Sequence, residues 1–348
     1  MVFHRRSGGR RGRDGPRRAG RRLPTYAALD LGTNNCRLLV AEAVHDRFRV
    51  VDAFSRIVRL GEGLSRTGRL SEEAQERALD ALRVCAAKLR RRRIDGVRAV
   101  ATEACRKALN CREFLTRVRD ETGLDFETIT SDEEARLALG GCLPLLDDRR
   151  PNALIFDIGG GSTQVMWLNV ARRRPALVAS VSIPTGVVSL SEHYGDAALS
   201  RAENQALVDS VGAHLGPFCD RLGIREAVAT DRVQMLGTSS TVTTLVGLDL
   251  GLDRYERARV DGAFLDLDVV HALSDELRAL DQQGRASRPC VGVERADLVV
   301  AGCAILEALC RRWPVPRLRV ADRGVREGIL LDLMAAGRGS AALLDARA

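Results

Sequence analysis

Two segments of this chain carry one unusual pattern, and the duplication limits the fold more than any other feature does. After Tyr26 the sequence reads AALDLGTNNCRLLVAEA, and after Asn152 it reads ALIFDIGGGSTQVMWLNV. Each is an apolar run, a Gly/Asn/Ser turn and a second apolar run, which reads as strand, tight loop, strand. The two align Asp30 with Asp157 and Gly32 with Gly159, an offset of 157 − 30 = 127 residues. An offset one domain long points to two homologous lobes. A second pair follows in the same order: VRAVATEACRKALN and VQMLGTSSTVTTLVG both read as strand, Thr/Ser-bearing loop, helix. The expected organisation is a basic disordered tail over 1–23, one lobe over 24–148, a second over 149–337 and a frayed tail over 338–348, with PNAL after LLDDRR at the junction.

A chain of 348 residues suits two such domains. It contains no run of eighteen uncharged apolar residues, so no membrane span is expected. The basic start lacks the apolar stretch of a secretory signal. Nine cysteines without a C-x-x-C spacing fit free thiols in a reducing, cytoplasmic compartment. The net charge of +8 resides in the first 22 residues, which hold nine Arg and one Asp (9 − 1 = +8), leaving 45 basic and 45 acidic residues elsewhere. An arm of Gly and Arg cannot bury enough surface to fold alone. Its charge suits a polyanion, whether the substrate or a nucleic acid. Lys88 and Lys107 are the only lysines; arginine elsewhere suits bidentate phosphate contacts and equally reflects codon bias. A helix is expected after Ser71, with acids in its first turn and a solvated end at Arg90 to Arg93.

Each duplicated hairpin ends its first strand in an Asp and follows it with residues whose backbone lets a ligand come close, GTNN in one copy and GGGST in the other. Such loops cradle phosphates, although three glycines also make a plain structural turn. LLVAE and VMWLN after the loops are strand-like, which excludes the strand-to-helix turn of a dinucleotide fold, and no G-x-x-x-x-G-K-[ST] is present. S-D-E-E places Ser131 at an N-cap and Glu134 at N3, the spacing of a capping box. A helix N-terminus there is also an anion site.

In order, the chain shows DLGTNNCRLLV from Asp30, RLGEGL from Arg59, ATEACRKALN, SDEEARLALGG from Ser131, DIGGGST from Asp157, PTGVVSL, GTSSTVTTL from Gly237 and ADRGVREGILL from Ala321. This series resembles the exopolyphosphatase and guanosine pentaphosphatase family of actin-like phosphotransferases. The resemblance implies an α/β, two-lobed actin-like (ribonuclease H-like) fold, with mixed sheets on either side of a cleft. It implies hydrolysis of a terminal phosphoanhydride bond in polyphosphate or guanosine pentaphosphate, with magnesium or manganese as cofactor and a homodimer as the assembly. Glu134 becomes the base that activates water, leaving its capping role as the plainer alternative. Asp30 and Asp157 become metal partners, and Arg106 a phosphate clamp with Asn110 one turn on, unless Arg106 is an ordinary surface helix residue. Phosphate contacts fall to Gly32, Thr33, Asn34, Asn35, Gly159, Gly160, Gly161, Ser162, Thr163, Gly237, Thr238, Ser239 and Ser240, with Arg59 a further candidate. Three departures bear on rate and preference. Gln164 stands where the family has Glu, Ser240 where it commonly has Gly, and Ser189 where long members have Arg. The family's additional C-terminal helical domains have no counterpart in these residues. The rival readings are an alarmone-binding protein of low activity and an ATP-using kinase.

Overall fold

The computed structural model describes residues 22–45, 47–171, 175–194 and 200–345. Most of the basic arm, residues 1–21, lies outside them. Of that arm only Arg22 and Leu23 are described, and the Arg22 guanidinium meets Asp95 at 2.5 Å.

Eleven strands are described: β1 (Thr25–Leu31), β2 (Asn35–Val44), β3 (Arg47–Ile57), β4 (Gly96–Ala101), β5 (Phe126–Thr128), β6 (Asn152–Ile158), β7 (Thr163–Asn169), β8 (Ala176–Ile183), β9 (Val233–Thr238), β10 (Phe264–Asp266) and β11 (Arg317–Ala321). They form two sheets, ordered β3-β2-β1-β4-β5 and β10-β11-β9-β6-β7-β8. The sheets repeat one plan. β1 and β6 each pair antiparallel with the strand that follows and parallel with the strand after the crossover, β4 or β9. The register repeats as well: Asp30 stands opposite Arg37 and Asp157 opposite Gln164. β1 and β6 read as near-continuous apolar runs because both their faces are covered. Each is buried apart from its Asp and, in β6, its first residue.

The helices that cover the sheets are α1 (Glu72–Arg90), α2 (Glu103–Lys107), α3 (Cys111–Thr122), α4 (Ser131–Cys142), α5 (Arg201–Arg221), α6 (Ser240–Asp249), α7 (Val299–Arg312) and α8 (Val325–Asp345). The Ser71 side chain accepts from Ala74 N at the start of α1, as its sequence predicts. α1 and α3 cover the outer face of the first sheet, where Leu79, Leu82 and Phe114 pack on Leu29 and Leu38. α6 and α7 take part in the larger core of the second sheet, with Val242, Ile305 and Leu309 against Phe156 and Val165.

A third core lies between the sheets, where Ala28 and Leu39 share one apolar cluster with Ile155 and Met166, and with residues of α4 and α8. α4 and α8 pack closely because Gly328 comes up against the Leu137 backbone and Gly141 against Gly324, places where any Cβ collides with main-chain atoms. α8 continues as helix through Asp345, where fraying was expected from 338. Its Ala/Leu-rich sequence is a good helix former despite its glycines.

Candidate active site

The two hairpin loops are built alike and meet across the cleft. Gly32 N donates to Asn35 O at 2.9 Å, and Gly159 N donates to Ser162 O at 2.9 Å. Gly159, Gly160 and Gly161 do not take left-handed backbone. What Gly160 supplies is room, because a Cβ there lies 2.9 Å from Thr33 Cβ and 3.1 Å from Asn34 N. Among the described residues, the amides of Thr33, Asn34, Gly160 and Gly161 donate to no protein acceptor, and the buried Asn34 Oδ1 has no partner. Those groups face a cavity of about 90 Å³ that is also lined by Asp30, Asp157, Glu134, Ser239 and Ser240.

Glu134 reaches this cavity because α4 begins one residue earlier than its sequence suggests. Thr130 is the N-cap, accepting from Glu133 N at 3.2 Å, so Ser131 is already helical. The capping box expected between Ser131 and Glu134 is absent; Thr130 has the β-region backbone that a cap needs, and Glu133 holds the N3 position. Glu133 binds Arg98 and Arg136 instead. Glu134 is thereby left to the cleft. Burial raises its carboxyl to about 7, against the pull of Arg106 and with Asp30 and Asp157 adding to the rise. Its Oε2 lies 2.8 Å from Arg106 Nη1 in an ion pair, and the same Nη1 also donates to Ile129 O at 2.9 Å. Burial likewise raises Asp157 to about 7, with Arg37 opposing, and raises Asp30, with Arg37 and Arg326 opposing.

A second cavity, of about 350 Å³, adjoins the first and shares Asp30, Arg37, Asp157, Ser239 and Ser240 with it. Arg37, Arg295 and Arg326 line this larger space, and none of their guanidiniums has an ion pair or hydrogen bond among the described residues. Burial lowers the pKa of Arg295 and Arg326, and Arg37 repels both. Unpaired buried guanidinium is costly unless an anion completes it.

Several expected contacts fall elsewhere. Arg106 lines neither cavity; Glu103, Glu134 and Ile129 O consume its donors, so it holds Glu134 rather than clamping a phosphate. Asn110 is buried and bonds the Leu70 backbone through both amide atoms, fastening the start of α3. Arg59 crosses the cleft to Asp297 at 2.6 and 3.0 Å and to Glu294 O, and ties the lobes together. Thr163 donates to Thr185 O, and Gly237 lies under the Phe156 ring. Thr238 donates to Arg323 O and borders only the larger cavity. Gln164 is buried and donates to Ser182 Oγ at 2.9 Å. Ser189 bonds the Gly186 backbone. Missed in the sequence were Arg37, Arg295, Arg326 and the buried Glu103. Arg37 was the most accessible of these, being seven residues after Asp30, as Gln164 is after Asp157.

The model of the Ppx/GppA phosphatase family matches residues 39–336. Over 315 residues the chain is 30% identical to the guanosine-5'-triphosphate,3'-diphosphate pyrophosphatase of Aeromonas salmonicida (strain A449), covering 89% of this chain and 60% of that protein. The chain thus spans about three fifths of that relative's length. It is 31% identical over 336 residues to exopolyphosphatase 2 of Mycobacterium tuberculosis (strain ATCC 25618 / H37Rv), covering 89% of this chain and 99% of the relative. The crystal structure of the Aquifex aeolicus member of the family superposes with a TM-score of 0.72 at 26% identity, covering 91% of this chain and 99% of that one. The expected two-lobed, actin-like α/β architecture is the one present.

Proposed function

The chain belongs to the Ppx/GppA phosphatase family, and from that membership and the cleft we propose that it hydrolyses the terminal phosphoanhydride bond of inorganic polyphosphate or guanosine pentaphosphate. One observation carries the reading: Glu134, Asp30 and Asp157 converge on a small cavity between two loops with undonated amides, next to a larger cavity lined by partnerless arginines. Phosphoryl transfer asks for positioning and charge neutralisation more than for covalent chemistry. Glu134 accepts the proton of the attacking water. The amides of Gly160, Gly161, Thr33 and Asn34 face the terminal phosphate, and Arg37, Arg295 and Arg326 take up charge on the phosphates behind it. Arg106 keeps the Glu134 carboxylate in place.

The donor set fits magnesium. No group of three or more His, Cys, Asp or Glu side chains able to hold a metal occurs among the described residues, and magnesium keeps several waters and takes one or two carboxylates plus substrate phosphate. Asp30 and Asp157 are the hard, buried oxygens that would hold it, and a bound divalent ion supplies the charge that keeps both ionised and offsets the phosphate oxygens. No described helix is long and apolar enough to cross a membrane, and nine free thiols suit the cytoplasm.

The test is phosphate release from polyphosphate, guanosine pentaphosphate and ATP as separate substrates, with magnesium and with chelator. Release from either of the first two, lost on chelation, is expected. Release from ATP alone would favour a kinase-like ATPase. Tight binding of the pentaphosphate without release would favour an alarmone-binding protein.

A further inference from the structure

The RLGEGL block from Arg59 stands at the cleft yet lines neither of the two cavities that the proposed hydrolysis uses. Its main chain belongs to the first lobe. Val58 N and Arg59 N both donate to Asn34 O, at 2.8 and 3.0 Å, and Gly61 N donates to Thr33 O at 2.9 Å. The block therefore backs the loop whose Thr33 and Asn34 amides face the smaller cavity. Its outward groups reach the second lobe. Arg59 forks onto Asp297, Nη1 to Oδ2 at 2.6 Å and Nη2 to Oδ1 at 3.0 Å, and Nη2 also donates to Glu294 O at 3.2 Å. Further on, Gly63 N and Ser65 Oγ donate to the two carboxylate oxygens of Glu192, at 2.7 and 3.0 Å, on the helix Val187–Tyr194.

The two grips differ in what they hold. Arg59 adopts φ 46°, left-handed backbone that disfavours a long side chain, and from it the bidentate fork lands on both sides of Arg295. Arg295 lines the larger cavity, and among the described residues no partner holds its guanidinium. What fixes it is its main chain. Arg295 N donates to Gly292 O at 3.3 Å, and Arg295 O accepts from Leu298 N at 3.0 Å and Val299 N at 2.9 Å. This tight turn is tied to the first lobe at Glu294 and Asp297, and the Asp297 side chain is only 12% exposed. A bidentate, charge-assisted pair sets direction as well as distance.

We propose that Arg59 is a positioning residue for Arg295: by clamping Glu294 and Asp297 it aims the arginine that takes up charge on the phosphates behind the scissile bond. The same residue joins that arginine to the loop whose amides face the terminal phosphate, so both ends of the site share one anchor. The inference rests on the proposed phosphate site. Its rival is Arg59 as a phosphate ligand in its own right, and the sign of a charge change separates the two. Asp297→Asn removes a negative charge beside the cleft. If Arg59 bound phosphate, or if only the net field mattered, that loss would tighten a polyanion. If Arg59 works through Asp297, the loss weakens it. Arg59→Gly deletes the fork at a backbone that glycine adopts without strain, so the hydrogen bond to Asn34 is kept.

Binding of short-chain inorganic polyphosphate to the full chain is measured by calorimetry, with chelator in place of magnesium so that nothing is turned over. Kd is expected to rise about fivefold or more in both Arg59→Gly and Asp297→Asn, approaching the loss in Arg295→Gln. Asp297→Asn combined with Arg295→Gln is expected to match Arg295→Gln alone, since no arginine remains to be aimed. Glu192→Gln, which loosens the block from the helix Val187–Tyr194 but leaves the turn clamped, is expected to bind as the parent does. Hydrogen exchange without ligand provides the second readout: residues 292–299 are expected to exchange faster in Arg59→Gly and Asp297→Asn, with α1 as protected as in the parent. Tighter binding by Asp297→Asn, additive losses in the double variant, equal weakening by Glu192→Gln or unchanged exchange over the turn would each overturn the positioning. A parent that does not bind polyphosphate would refute the proposed substrate instead, and the exchange measurement would still decide whether Arg59 holds the turn.

Discussion

Replacing Glu134 by Gln separates a catalytic carboxylate from a structural one, because the two readings predict opposite signs for stability. The carboxyl titrates at about 7 in the fold against 4.5 for an unperturbed side chain. A folded value above the unfolded one means that the native state holds the proton more tightly. The stabilisation is present below the unfolded value and is lost as pH rises towards 7. At about 1.36 kcal/mol per tenfold, carrying the charge above neutral pH costs the fold up to about 3 kcal/mol. Glutamine keeps the shape without the charge, and Arg106 retains Glu103 and the Ile129 carbonyl. Glu134→Gln should therefore be at least as stable as the parent at pH 8, by as much as about 3 kcal/mol, and equal to it near pH 4.5. The helix keeps its cap, which is Thr130. Turnover should fall by roughly two to four orders of magnitude, the usual worth of a general base. Urea melts at both pH values, paired with steady-state phosphate release on polyphosphate, provide the check. A variant that is destabilised at pH 8 and turns over near normally would sink the assignment and return Glu134 to a structural role.

With Glu134 the essential base, kcat/KM should drop about tenfold per pH unit below about 7, and Arg106→Lys, which cannot keep the fork to Glu103, Glu134 and Ile129, should move that limb to higher pH; an unmoved profile means that Arg106 does not hold the base. Thr130→Ala should cost about 1 kcal/mol in a urea melt and leave kcat within about threefold; a collapse of kcat would show that the cap also aims Glu134. Gln164→Glu adds a carboxylate opposite Asp157 in the ladder and should lower the magnesium concentration needed for half activity. An unchanged magnesium titration would show that position 164 does not reach the metal.

The architecture was legible because the duplication is written at two levels. The strand–loop–strand pattern and the offset between Asp30 and Asp157 gave the two sheets, and the strand–loop–helix pair gave β4 and β9 beside them. What failed were side-chain destinations. Asn110 and Arg59 stand in motif blocks next to the loops, yet one bonds the Leu70 backbone and the other Asp297, 238 residues on. Neither partner is implied by local spacing. The helix start moved by one residue because Thr130 and Ser131 are both good caps, and it is Thr130 that takes the extended backbone and accepts from Glu133 N. Arg295 and Arg326 were invisible for the opposite reason. Arginine is so common in this chain that its presence in a motif carries little information, and only the absence of a partner marks these two.

The repeated scaffold leads to an asymmetric site, and the asymmetry predicts how a phosphate chain lies in it. Both copies close their loop with the same hydrogen bond and end the strand in an aspartate, but the facing position is Arg37 in one and Gln164 in the other. One arginine therefore serves both aspartates, opposing the rise that burial gives each. Around the smaller cavity stand four carboxylates, Asp30, Glu103, Glu134 and Asp157; Arg295 and Arg326 belong to the larger one alone. The cleft thus runs from an acidic end, suited to a metal and a water, to a basic end suited to the phosphates behind the scissile bond. Arg295→Gln should then weaken binding more than chemistry, raising KM for polyphosphate about tenfold or more, as loss of a charge-assisted contact of about 1.5–3 kcal/mol implies, with kcat within a few-fold. Raised salt should narrow the difference between variant and parent if the larger cavity is open to solvent. A kcat lowered a hundredfold at unchanged KM would place Arg295 on the reacting phosphate, and the chain would have to lie the other way round.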